Sequence, residues 1–143
     1  GRCLEAAAVC EHLITLSAKK QEHVALAAQL YEALQMPAKA SGHLYNLITL
    51  ALNNHETLVA AQALERLSST APEQDTLQVR QQVVHALLSE QHDESVILPH
   101  IYALIDALIT SDNQKRLQQF LAYLEGQSSS LHSHVREYLE ETL

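Results

Sequence analysis

The sequence predicts an all-α chain of about eight helices, paired as antiparallel hairpins and stacked into a short array. Three observations lead there. Ala, Leu, Gln and Glu are frequent while Gly and Pro number three each, so residues that keep much of their freedom in a helix abound and helix breakers are scarce. Apolar residues recur at three- and four-residue spacing almost throughout, and no long stretch alternates with period two. Leu13-Ile14-Thr15-Leu16 returns as Leu47-Ile48-Thr49-Leu50, and a period of about 34 residues with two helices per unit marks stacked helical pairs.

The elements follow from the breaks between periodic stretches. The first helix is expected over 3–18, stopped at Ala18-Lys19-Lys20, and the second over 20–36, stopped where Pro37 follows Met36. A third spans 38–53 and ends at Asn53-Asn54-His55. A fourth spans 55–70 and ends at Thr70-Ala71-Pro72. The fifth, 73–90, stops at Gln91-His92-Asp93, and the sixth, 94–110, at Ser111-Asp112-Asn113. The seventh, 113–125, gives way to the Gly126–Ser130 stretch, and the eighth fills 129–142. Each break carries the Pro, Asn, Asp, Ser or other polar residues that punctuate helices. Connections this short make successive helices antiparallel neighbours. The chain thus reads as one domain of 143 residues with hairpins at 3–37, 38–72, 73–110 and 113–142, the last more polar and suited to capping.

Self-alignment extends beyond the repeated Leu-Ile-Thr-Leu. At an offset of 34, Glu22 meets Glu56, Val24 meets Leu58, Ala27 meets Ala61 and Leu30 meets Leu64; with a one-residue slip Ala27-Ala28-Gln29 meets Ala60-Ala61-Gln62. Pro37 and Pro72 close the two copies. Fainter echoes are Ala86–Asp93 against Thr49–Glu56, and Ala107–Asp112. The expected interlocking positions are Cys10, Leu13, Ile14 and Ser17, then Leu26, Ala27, Leu30 and Ala33, in the first copy. In the second they are Leu44, Leu47, Ile48 and Ala51, then Ala60, Leu64 and Leu67.

This arrangement over residues 10–72 resembles a degenerate tetratricopeptide (TPR) array. The resemblance implies a short right-handed solenoid and a scaffold that binds a peptide or another protein. It departs from the family at Ile14 and Ile48, where a small residue is usual, and at Ser17 and Ala51, where an aromatic is usual, so another helical-repeat class or a compact bundle stays open. Thr15 and Thr49 are placed to donate to a carbonyl one turn earlier.

Charge and composition narrow the function. The formal net charge is −8, and nine Lys and Arg are scattered rather than clustered, which excludes a basic stripe for nucleic acid or anionic membrane. No run of 18 apolar residues offers a membrane span. Cys3 and Cys10, seven residues apart on one helix, stand roughly 10 Å apart by the helical rise, too far for a disulfide; two reduced thiols suit a cytoplasmic setting. Gly1-Arg2-Cys3 runs straight into a helical pattern, which reads as a domain cut from a longer protein.

Nothing in the sequence signposts catalysis or a cofactor. Nine histidines occur, but none pairs at the i,i+4 spacing that a helical zinc site uses. His132-Ser133-His134 splays its rings to different faces. His92-Asp93-Glu94 reads as a solvated, acidic helix start rather than a cation site, and His12 and His85 as partly buried, satisfied side chains. No Walker or G-x-S-x-G sequence occurs. The chain is therefore expected to be non-enzymatic, with no metal and no cofactor. If the first helix of each hairpin lines the concave side, His43, Asn46, Thr49 and Asn53, with Tyr45 beside them, are the expected partner-binding residues; amide side chains there hold an extended peptide in scaffolds of the kind the resemblance implies. Each of the five tyrosines otherwise packs at the rim of the core. A different expectation is an assembly domain, a subunit of a larger complex whose open helical face is capped by another subunit.

Overall fold

The computed structural model describes residues 4–9, 12, 20–72 and 75–142. Residues 4–9 are helical (α1). They are followed by α2 (Lys20–Ala33), α3 (Pro37–Asn53), α4 (Thr57–Thr70), α5 (Leu77–Ser89), α6 (Glu94–Thr110), α7 (Gln114–Gln127) and α8 (Ser129–Thr142). Among the described residues there is no strand, and no helix is long and apolar enough to cross a membrane. Leu13–Leu16, Thr15 and Ser17, together with Cys3 and Cys10, lie outside the described residues.

The seven helices expected from residue 20 onward are present with small shifts in their ends, while most of the helix expected over 3–18 lies outside the described residues. α5 begins at Leu77 instead of near 73, and α7 runs through Gly126 to Gln127. α6 continues through Pro99. An interior proline removes a hydrogen bond and costs about 3 kcal/mol. α6 tolerates it because Ile97, Ile101, Leu104, Ile105 and Leu108 are all buried, at roughly 1.5–3 kcal/mol each.

α2 stops at Ala33 because the chain turns through a left-handed residue. The Met36 amide donates to the Tyr31 carbonyl and the Gln35 amide to that of Glu32, both at 3.0 Å, with Gln35 at φ 56°. These bonds satisfy carbonyls the helix end would otherwise orphan. The same pattern closes α3, where Glu56 donates to Ala51 and His55, at φ 60°, to Leu52. It also closes α6, where Asn113 donates to Leu108 and Asp112, at φ 54°, to Ile109. Gln91, at φ 57°, makes the matching bond to Leu88 after α5. None of the four is a glycine, although this conformation strains an L side chain.

The chain divides into two units, Gly1–Thr76 and Leu77–Leu143. In the first, α3 packs against both α2 and α4. Its Leu44, Leu47, Ile48 and Ala51 are buried, as are Val24, Ala27 and Ala28 of α2 and Ala60, Ala63, Leu64 and Leu67 of α4; Ala40 packs with Tyr31 of α2 and Ala7 of α1 in a cluster flanked by Leu30, Leu34 and Met36. Leu26 and Ala33, expected to interlock, are exposed. The buried face of α2 follows Val24 and Tyr31 instead, which sets the register against α4 at the one-residue slip: Ala27-Ala28 and Ala60-Ala61 are buried pairs, and Gln29 and Gln62 are both exposed.

In the second unit α6 packs against α5, α7 and α8, and α7 against α8. The buried positions of α6 are those of α3 shifted by 57 residues: Ala40, Leu44, Leu47, Ile48 and Ala51 become Ile97, Ile101, Leu104, Ile105 and Leu108. The shift carries Ala60, Ala63 and Leu67 of α4 onto Leu117, Phe120 and Leu124 of α7, and the turn residue His55 onto Asp112. One extra residue before α6 makes the shift 56 for α2 and α5, so that Ala27, Ala28 and Tyr31 meet Val83, Val84 and Leu87. Val24 meets Arg80, a buried arginine that periodicity alone does not distinguish from a solvated one. The sequence carries the same correspondence in His43-Leu44-Tyr45-Asn46-Leu47-Ile48 and His100-Ile101-Tyr102-Ala103-Leu104-Ile105. Each unit thus contains one copy of a three-helix plan.

Candidate functional site

Helix α3 buries one side and leaves the other to solvent. Residues 45, 46, 49 and 53 fall on that outer side by the 3.6-residue period. Tyr45 is 38% exposed, Thr49 and Asn53 are exposed, and Asn46 is half-buried. The Thr49 hydroxyl donates to the Tyr45 carbonyl at 3.3 Å, the back-bond its sequence context predicts. Four of the five expected partner-binding residues are therefore brought together.

His43 is not one of them. Its ring lies flat on Tyr31, with centroids 5.5 Å apart and planes 3° from parallel. Tyr31 is only 1% exposed, and the Lys39 ammonium sits 5.2 Å from its centroid. This stack holds His43 toward α2, away from the outer face; Tyr31 itself is core rather than rim. Asn53 stays exposed, while Asn54 donates to Gln21 at 2.7 Å and Gln21 donates to Glu56 at 2.7 Å. This amide chain ties the start of α2 to the turn after α3, a local backbone-positioning role.

The equivalent face of α6 is occupied. Tyr102 stands where Tyr45 stands in α3, Ala103 where Asn46 stands and Asp106 where Thr49 stands. Tyr138 of α8 stacks on Tyr102 at 4.3 Å and 19°, and its hydroxyl donates to Asp106 at 2.5 Å. The His134 ring lies 3.5 Å from the Glu94 carboxylate on the same pair of helices. Donation to Asp106 is the main reason the Tyr138 hydroxyl is held above the usual phenol range, with burial adding to it. Burial, then the charges of Glu137 and Glu141, raises Tyr102 as well. The face that carries Tyr45 on α3 thus docks a tyrosine-bearing helix on α6.

The chain matches no protein family, no curated protein and no solved structure with which it was compared.

The remaining candidate chemistry resolves into structure. His85 packs its ring edge against Tyr123 at 4.6 Å and lies 6.3 Å from Phe120; burial lowers its pKa below the ordinary histidine value. His12, expected partly buried, is exposed. His92 lies 3.5 Å from Glu90, one turn residue pairing with another. Among the described residues no three His, Cys, Asp or Glu side chains converge to hold a metal ion. The Tyr102–Tyr138 contact has no local signal, because it joins residues 36 apart. Tyr102 as the counterpart of Tyr45 is readable in the His-x-Tyr-x-Leu-Ile repeat.

Proposed function

We propose that this chain is a non-enzymatic protein-interaction module of stacked antiparallel helix hairpins, a tetratricopeptide-like scaffold. In it, Tyr45, Asn46, Thr49 and Asn53 offer the outer face of α3 to a helical segment of a partner protein. The observation that carries the reading is the equivalence of Tyr45 with Tyr102: the same position on the same three-helix plan receives the ring of Tyr138 in the second unit. The chemistry follows from the exchanges. A tyrosine ring gives rigid, amphipathic contact area, while Thr49 and Asn46 in place of Asp106 and Ala103 offer neutral hydrogen-bonding groups instead of a carboxylate. The partner is accordingly a helix carrying an aromatic side chain and uncharged polar neighbours. Because α3 is packed on both flanks, the face is rigid before binding, which lowers the ordering cost.

A display selection of helical peptides against the full chain tests this. Selected peptides are expected to carry an aromatic anchor and to lose about tenfold or more in affinity on Tyr45→Ala, as a central aromatic contact does. Selected peptides that all bind Tyr45→Ala undiminished would overturn it. Sedimentation of the free chain adds a second check: a monomer is expected, whereas an obligate dimer favours the assembly reading.

A further inference from the structure

The internal duplication exposes a second surface, in the second unit, that the α3 reading does not use. On α4, Thr57, Ala61 and Leu64 are buried, at 4%, 3% and 0% exposure. Shifted by 57 they become Gln114, Gln118 and Leu121 of α7, and there the two glutamines are exposed and Leu121 is only half-buried. The face that is covered on one helix is open on its counterpart. Where it opens, α7 and α8 part around a cleft of about 270 Å³, floored by Leu108, Leu117, Leu121 and Leu139. A wider cleft of about 390 Å³ adjoins it, sharing Gln118, Leu121 and Leu139. Pockets for drug-sized ligands run from roughly 300 Å³ upward, so the floored part suits one or two apolar side chains projecting from a larger body.

The rim decides the charge of that body. Asp112 borders the inner cleft, and Glu125, Glu140 and Arg136 border the outer one, which makes three carboxylates against one guanidinium. The chain as a whole carries −8, so a second copy brings like charge to an acidic rim, while a basic partner brings the opposite one. We infer that the α7–α8 cleft is a docking site for an amphipathic helix of a partner protein that inserts an aliphatic stripe over Leu121 and Leu139 and sets lysine or arginine against Glu125 and Glu140. This site is separate from the face of α3, and its partner differs from the aromatic, uncharged one proposed there.

The test uses the full chain and two helix-stabilised peptides that share one leucine stripe at i, i+3, i+4 and i+7. One is flanked by lysine and the other by glutamate. Fluorescence anisotropy is expected to show the lysine peptide binding at least about tenfold more tightly, with the difference shrinking as salt screens the rim. Glu125→Lys combined with Glu140→Lys, both at exposed positions, is expected to erase or reverse that preference. Leu121→Gln, the amide its neighbour Gln118 already carries, is expected to weaken the lysine peptide without changing the circular dichroism spectrum, and Tyr45→Ala to leave it unchanged. Equal affinity for the two peptides overturns the inference. So does lysine-peptide binding that survives Leu121→Gln or is lost on Tyr45→Ala, and so does a dimer of the free chain that Leu121→Gln dissolves, which would assign the cleft to a second copy.

Discussion

Tyr138 of α8 lies flat on Tyr102 of α6, with ring centroids 4.3 Å apart, and its hydroxyl reaches one turn along to Asp106. This single side chain joins the last described helix to the second unit's central helix through a ring contact and a hydrogen bond to a carboxylate. It also shows what the plan shared by α3 and α6 accepts on its outer side.

Removing the two parts of that contact separately should give graded losses. Tyr138→Phe keeps the ring and deletes the bond to Asp106, and is expected to cost about 0.5–1.5 kcal/mol in urea unfolding. Tyr138→Ala also deletes the ring pair and should cost a further ~0.5–1.5 kcal/mol. The pH dependence carries a sign. The folded chain holds the Tyr138 pKa above its unfolded value of about 10, so the associated stability is present below that pH and is lost as pH rises through the folded value. Tyr138→Phe should flatten part of the alkaline fall, and Tyr102, raised as well, should leave the rest. Identical alkaline limbs for wild type and Tyr138→Phe would show that Asp106 does not hold the phenol.

His85 should act at the other end of the scale. Burial against Tyr123 and Phe120 depresses its pKa in the folded chain. The unfolded chain then binds the proton first, near pH 6.5, so stability declines as pH falls through that value and continues to decline down to the depressed folded pKa. His85→Phe is expected to remove this part of the acid dependence, read from thermal unfolding between pH 7 and pH 5.

The core assignment predicts a sharp contrast. Leu47 is buried in α3, and Leu47→Asp places an unpaired carboxylate among Ile48, Leu44 and the flanking helices. That should unfold the first unit, since burying a charge without a partner exceeds the few kcal/mol that hold a domain together. His92→Ala removes only a turn side chain near Glu90 and should stay within about 0.5 kcal/mol of wild type. Circular dichroism melts of the two variants settle the contrast.

The left-handed corners predict a gain. Gln35 and His55 hold φ near +60°, at a cost of about 1–2 kcal/mol for a residue with a Cβ. Glycine removes most of that cost and gives some back through its freer unfolded state. Gln35→Gly and His55→Gly are each expected to stabilise the first unit by about 0.5–1 kcal/mol in chemical denaturation, and Gln35→Val to destabilise it.

Much of this was legible in the sequence, and the gaps have identifiable causes. Helix existence followed from three- and four-residue periodicity, and most ends from Pro, Asn and Asp. The end of α2 did not, because Leu34-Gln35 has no glycine or proline to mark a left-handed corner. The repeated Leu-Ile-Thr-Leu drew attention to a 34-residue offset, whereas burial follows a slip of one residue within the first unit and a shift of 57 between the units. The longer match, His43–Ile48 against His100–Ile105, stood in plain view. Of the candidate face, Tyr45, Asn46, Thr49 and Asn53 were readable as one side of one helix. His43 was misplaced because its partner, Tyr31, lies on another helix, and no property of the intervening residues announces that stack.

Four bends without a glycine have a practical meaning. A corner that its own residues disfavour is held open only while the helices on either side are seated, much as an arch stone is held by its neighbours. The backbone carbon shifts of Gln35, His55, Gln91 and Asp112 therefore serve as four built-in gauges. Each should lose its left-handed signature when one neighbouring helix lifts away, before any global melt is recorded, and so report which joint of the chain loosens first.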